Sequence, residues 1–280
     1  MTYDFQAFPA PAKLNLMLKV VGRRPDGYHL LETVFRFIDF CDTVEIAVTD
    51  DGVVELVNPI PGVAPESDLT VRAARALQAA SGSKQGARIR LAKRIPMGGG
   101  LGGGSSDAAT VLLALNRLWG TRFSRERLME LGLALGADVP VFVFGRNAFA
   151  TGVGEELTAL ELPEAWYVVI HPGVHVPTAK IFSSPLLTRD SKPSIMRTLE
   201  TTQQRRNDLQ AAVSAEFKEV DSAIRDLAKY GPALMTGSGS CVFLECESQD
   251  QANTVFRAVS EKYDGFVAKG LASHPMFDKA

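Results

Sequence analysis

The chain predicts an α+β protein built in two parts, and three observations carry that prediction. Its first half is rich in alternating strands. A loop with six glycines in seven positions, residues 98–104, then joins a strand to a long apolar helix. The second half has the order β-α-β-β-α-β, a ferredoxin-like pattern. A boundary is expected near residues 160–164, dividing the chain into 1–162 and 163–280.

In the first part, residues 14–22, 31–40, 42–48 and 52–58 read as strands, and TDDG at 49–52 marks a turn. An irregular loop at 58–67 leads to a helix over 68–81, then a strand over 87–93. After the glycine loop, Ser105 or Ser106 suits the N-cap of the helix that runs on through AATVLLALNRLW. Residues 121–136 form a second helix capped by Ser124. PVFVFG and NAFATG suggest a hairpin around 145–147.

In the second part, WYVVIHP is a strand. PTAKIF follows, then a charged connection with a short helix over 186–208. One long helix over 207–231 stops at Gly231. ALMTG and CVFLECE are strands, DQANTVFRAVSEKY a helix, and GFVAKGL a final strand.

Composition limits function. The 280 residues are 46% hydrophobic and 22% charged, as in ordinary globular proteins. A net charge of −2 gives no electrostatic case for nucleic acid or membrane. The three cysteines lack metal-ligand spacing, and Cys241 and Cys246 fall in an expected core strand. The opening residues lack a basic and apolar leader, so a cytoplasmic protein is expected. A monomer or weak homodimer is expected.

Strand, glycine loop and helix make a phosphate-binding layout, because a helix N-terminus offers free N–H donors and partial positive charge. A Walker A loop is excluded, since no lysine follows the glycines. Gly98, Gly100 and Gly103 satisfy GxGxxG. A dinucleotide fold, however, needs a strand after the helix, and a second helix stands there. A flexible linker would lack the apolar helix that follows.

PMGGGLGGGSSDAA resembles the central motif of the galactokinase, homoserine kinase, mevalonate kinase and phosphomevalonate kinase superfamily. PAKLNLMLKVVGRRPDGYHLLETVF, GADVPVFVFG, PGVHVPTAKIF and LMTGSGSCVFLE resemble further segments of one branch, whose acceptor is a cytidine diphosphate sugar-alcohol. The resemblance covers about residues 11–268. It implies an N-terminal α/β domain with a left-handed βαβ unit, a C-terminal ferredoxin-like domain, and an active site in the cleft between them.

By that resemblance the substrates are ATP and the cytidine compound. Lys13 and Asp138 are catalytic, with Asp138 taking the acceptor proton, a role that suits a carboxylate. The ATP cradle is Pro96, Met97, Gly98, Gly99, Gly100, Leu101, Gly102, Gly103, Gly104, Ser105 and Ser106. Lys93 and Asp68 stand at the adenine edge. Asp68 replaces an asparagine common there and lacks its amide donor. Mg²⁺ is expected to ride on the ATP phosphates, with Ser105 or Ser106 within reach. Asn15, Tyr28, His29, Thr178, Phe182, Gly237, Ser238 and Gly239 are the expected acceptor site. Tyr28, His29 and Phe182 hold the base. Homoserine or mevalonate as acceptor remains the nearest alternative, and a non-catalytic nucleotide-binding module the next.

Overall fold

A computed structural model describes residues 3–194 and 205–277. The first unit is a sheet ordered β3 (Val54–Leu56), β4 (Gly86–Ala92), β2 (His29–Thr49), β5 (Ala148–Thr151) and β6 (Glu156–Ala159), with β1 (Gln6–Arg23) paired to β2. β1 (Gln6–Arg23) and β2 (His29–Thr49) form one long antiparallel hairpin. Two expected strands thus merge into β2. The register jumps from Pro11↔Cys41 to Ala12↔Ile38, so β2 absorbs the extra residues as a bulge and does not turn.

β3 (Val54–Leu56) and β4 (Gly86–Ala92) are parallel and joined across α1 (Leu69–Ser81), a β-α-β crossover. α2 (Gly103–Leu118) packs on α1 and on the sheet with one broad apolar face. α3 (Arg125–Leu133) is capped by Ser124, as expected.

PVFVFG is not a strand. It forms α4 (Val139–Phe144), and the expected hairpin becomes α4, a Gly145 stop and β5 (Ala148–Thr151). Pro140 is tolerated in a first helical turn and Gly145 takes φ 77°, so both ends suit a short helix. Val139, Val141, Phe142 and Val143 are buried in the core with α2, an environment an alternation count cannot distinguish from a buried strand. β5 pairs with β6 (Glu156–Ala159) and with β2.

The second sheet is ordered β10-β7-β9-β8, every pair antiparallel. Its strands are β7 (Trp166–His171), β8 (Ala233–Met235), β9 (Val242–Cys246) and β10 (Asp264–Lys269). This is the ferredoxin-like order expected. α5 (Thr178–Ser183) follows β7, and α8 (Gln249–Val259) lies between β9 and β10. The single helix expected over 207–231 is two: α6 (Gln210–Glu216) and α7 (Lys218–Leu227). Phe217 breaks it with φ −120° and ψ 95°, turning its ring onto the second core. α7 also ends short of Gly231. Of the charged connection at 186–208, where a short helix is expected, residues 195–204 lie outside the described residues.

A third apolar cluster joins the units. Leu14, Leu16 and Ile38 of the hairpin meet Tyr167, Val169 and Phe243 of the second sheet. The chain then returns: Met276 enters the first core, and His274 meets the Phe37 ring edge-on at 5.9 Å. Among the described residues no helix is long and apolar enough to cross a membrane.

Candidate active site

A continuous cleft of about 1040 Å³ runs between the units. Its floor is the glycine loop. α2 starts at Gly103, not at the serines, with Gly102 at φ 73° in the cap position. The first intrahelical bond runs from Ser106 N to Gly102 O, so the N–H groups of residues 103–105 precede it and are available to an anion.

The loop's glycines answer to a second loop as well as to any ligand. A Cβ on Gly100 would stand 2.2 Å from Thr236 O, and one on Gly237 2.9 Å from Gly100 O. Cys241 N donates to Gly99 O at 3.1 Å. Gly237, Ser238 and Gly239 therefore lie backbone to backbone against the first loop, and both line the cleft. Asn207 holds the second loop, its Nδ2 donating to Met235 O and Gly237 O.

Pro96, Met97, Leu101 and the six glycines line the cleft, as does Ser105. Ser106 does not. It is fully buried, and its hydroxyl donates to Pro11 O at 2.7 Å, so it ties α2 to β1. The sequence could not separate two adjacent serines, because a helical turn sends them about 100° apart.

Lys13 and Asp138 are brought together from 125 residues apart, with Nζ and Oδ2 at 3.3 Å. Asp138 sits just before α4 but makes no capping bond there, which leaves its carboxylate facing the cleft. Lys13 is 2% exposed. Its ammonium also donates to Asn15 Oδ1 at 2.5 Å, while Asn15 Nδ2 donates to Thr33 Oγ1. Both polar ends of Asn15 are thus engaged in holding the lysine. Lys13 N donates to Leu101 O, which fixes the pair to the glycine loop.

Lys93 lies under the loop between two buried carboxylates that the sequence reading missed. It meets Asp42, and Asp107 Oδ2 at 2.7 Å. Burial opposes its charge, but Asp107 and Asp42 more than offset that and raise its pKa. Burial, aided by Asp42 and opposed by Lys93, pushes the Asp107 carboxyl up to about 7. Asp68 caps α1, accepting from Thr70 N at 2.8 Å and from Val71 N. It lines the cleft with its carboxylate committed to that cap.

At the far end, RPDG closes a turn in which Arg24 N donates to Tyr28 O at 2.7 Å. Tyr28 is 65% exposed in the cleft mouth. His29 and Phe182 lie with ring centroids 5.0 Å apart. Thr178 Oγ1 and Ser238 Oγ are 2.7 Å apart, linking α5 to the second glycine loop. Arg189, absent from the sequence reading, donates to His29 Nε2 at 3.2 Å. Among the described residues no cluster of three His, Cys, Asp or Glu could hold a metal.

Residues 68–146 match the GHMP kinases N terminal domain, and residues 187–265 the GHMP kinases C terminal domain. The chain is 65% identical to 4-diphosphocytidyl-2-C-methyl-D-erythritol kinase of Chromobacterium violaceum over the whole of both chains. It is 53% identical to that kinase of Neisseria meningitidis, over 97% of this chain and 96% of the relative. A crystal structure of 4-(cytidine 5'-diphospho)-2C-methyl-D-erythritol kinase is 36% identical with a TM-score of 0.84, covering 95% of this chain and 99% of that one. Homoserine kinase from Cytophaga hutchinsonii shares the fold at 17% identity and a TM-score of 0.73, over 98% of this chain and 96% of that one. The chain belongs to the GHMP kinases, in the family of 4-diphosphocytidyl-2-C-methyl-D-erythritol kinases.

Proposed function

We propose that this protein transfers the γ-phosphoryl group of ATP to the 2-hydroxyl of 4-diphosphocytidyl-2-C-methyl-D-erythritol. The products are the 2-phosphate and ADP, in the non-mevalonate route to isoprenoid precursors. One observation carries the reading: a single cleft joins an anion cradle, a lysine–aspartate pair and an aromatic site for a base.

The N–H groups at the start of α2 receive the ATP phosphates. Asp138 accepts the proton of the 2-hydroxyl as its oxygen attacks the γ-phosphorus. Lys13 stabilises the negative charge that builds on the transferring group. Tyr28 and Phe182 stack the cytosine, and His29 contacts its polar edge. Asn15 acts by orienting Lys13, and Thr178 with the Gly237–Gly239 loop flanks the acceptor.

Ser105, open to the cleft, suits a magnesium ion that keeps most of its waters and arrives on the phosphates. The ion would neutralise phosphate charge. Lys93 and Asp68 shape the wall of the nucleotide site without presenting a free charge. The units divide near residues 160–164, and the protein works in the cytoplasm as a monomer or weak homodimer.

The test is coupled ADP release with a panel of acceptors. The cytidine diphosphate acceptor should be used far better than homoserine, mevalonate or methylerythritol 4-phosphate without its cytidine. A clear preference for homoserine or mevalonate would overturn the acceptor while leaving the kinase reading intact.

A further inference from the structure

We propose that His175 binds a substrate phosphate group at the seam between the glycine loop and the second unit. This rests on the reading above, in which both substrates carry phosphates, and adds a residue to which that reading gives no role.

The neighbours of His175 decide where its ring goes. Val176 is buried in the second core, and Val174 packs against that core. With both valines turned inward, the imidazole is left to the cleft, which it lines. The segment is pinned at both ends. Gly173 N donates to His171 Nδ1 at 3.1 Å, and Thr178 Oγ1 and Ser238 Oγ are 2.7 Å apart.

The ring lies on the first glycine loop. A Cβ on Gly98 would stand 2.3 Å from His175 Nδ1 and 2.9 Å from its Cε1. Gly98 also has φ 69°, so its backbone and this close approach both call for glycine. Among the described residues no hydrogen bond engages either ring nitrogen of His175.

The lysines lining the cleft are already committed. Lys13 holds Asp138 and Asn15, and Lys93 holds Asp42 and Asp107. Arg23 stands at the mouth, at the far end of β1 from Lys13. A triphosphate and a diphosphate entering one cleft bring many acceptor oxygens, and bonds to such charged oxygens are the strong ones. An imidazole carries at least one N–H donor in either ring form, so the contact does not depend on a second ring proton. His175 stands between the Gly98 end of the loop and the Thr178–Ser238 pair, where a phosphate of the nucleotide or of the acceptor presents the same chemistry. The ring comes from the second unit and the N–H groups of α2 from the first, so both units hold the phosphates.

The experiment compares wild type, His175→Ala and His175→Gln by steady-state kinetics and titration calorimetry. The side chain is exposed, so melting temperatures should not move. In His175→Ala one affinity should fall about tenfold or more, the usual worth of a hydrogen bond to a charged group. A higher KM for ATP, with weaker ADP binding and unchanged adenosine binding, assigns the contact to the nucleotide. A higher KM for the cytidine acceptor, with unchanged inhibition by cytidine, assigns it to the acceptor diphosphate. His175→Gln keeps an N–H donor and should lose less. Unchanged KM for both substrates, equal losses in the two variants, or an equal loss for adenosine or cytidine, which carry no phosphate, would each overturn the proposal. ADP binding needs no acceptor. If wild type bound ADP but phosphorylated no acceptor, the acceptor reading would fail, and unchanged ADP affinity in His175→Ala would then overturn the phosphate contact separately.

Discussion

Two lysine–aspartate clusters lie within one cleft wall, built from the same residue types and put to opposite uses. Lys13 meets one carboxylate, Asp138, whose side chain is 36% exposed. Lys93 meets two, Asp42 and Asp107, both buried. In the second cluster every strong contact faces inward. One Asp42 oxygen accepts from the backbone N–H groups of Arg94 and Ile95, which pins the strand end leading into the glycine loop. Asp107 ties that strand end to α2. The difference lies in solvent access and stoichiometry. A carboxylate reacts only if a substrate can reach it, and a lysine saturated by buried partners has no charge left to offer.

The sharpest test of this contrast is Asp138→Asn against Asp42→Ala. Asp138→Asn should lower turnover by about 10²–10⁴-fold, the usual worth of a general base. Its melting temperature and ATP affinity, from scanning and titration calorimetry, should barely move. Near wild-type turnover would remove Asp138 from the chemistry. Asp42→Ala should do the reverse. It leaves Lys93 and two backbone donors short of a partner, which costs about 3–5 kcal/mol of stability in denaturant unfolding. Protein that remains folded should keep most of its turnover per molecule.

A smaller effect probes whether Lys13 and Asp138 act as a unit. Lys13→Ala should slow turnover, and the double variant should be little worse than Asp138→Asn alone. Strict additivity would show that the two act separately.

The mildest expected change is at Asp107. Its folded pKa, about 7, lies above the ordinary carboxylate value, so the native state binds more protons than the unfolded chain in the window between them. The stability it contributes is full at low pH and is lost as pH rises toward and through 7. Asp107→Asn keeps an acceptor for Lys93 and removes the titration. Between pH 5 and 8 the variant should lose less stability than wild type. An unchanged pH slope would show that Asp107 does not titrate in this window.

Much of the fold was legible in local pattern. The ferredoxin-like order, the glycine loop and the cap at Ser124 all depend on neighbours a few residues apart. Where the reading failed, the deciding contact was distant. α4 reads as a strand because its six apolar residues carry no period, and burial by α2 and α3 sets their form. Ser106 reads as a cap or a ligand, because nothing local reveals the Pro11 carbonyl beneath it. Lys93, Asp42 and Asp107 are spread over 14 to 65 positions, and their cluster exists only once β2, β4 and α2 have met. Lys13 and Asp138 became legible through the resemblance, since neither has a local signature.

The returning tail constrains how the molecule can be made. Met276 completes the first core, and the carbonyls of Leu271 and Ala272 satisfy Asn147 in the first unit. Those residues leave the ribosome after the whole second sheet. At about 5–20 residues per second, the first unit waits roughly 6–25 seconds between the emergence of its own strands and the arrival of its last core side chains. During that interval the Phe37 ring lacks its His274 neighbour, and a fragment cut at the boundary would keep that defect permanently. The first unit therefore cannot complete its core before the second sheet has been made.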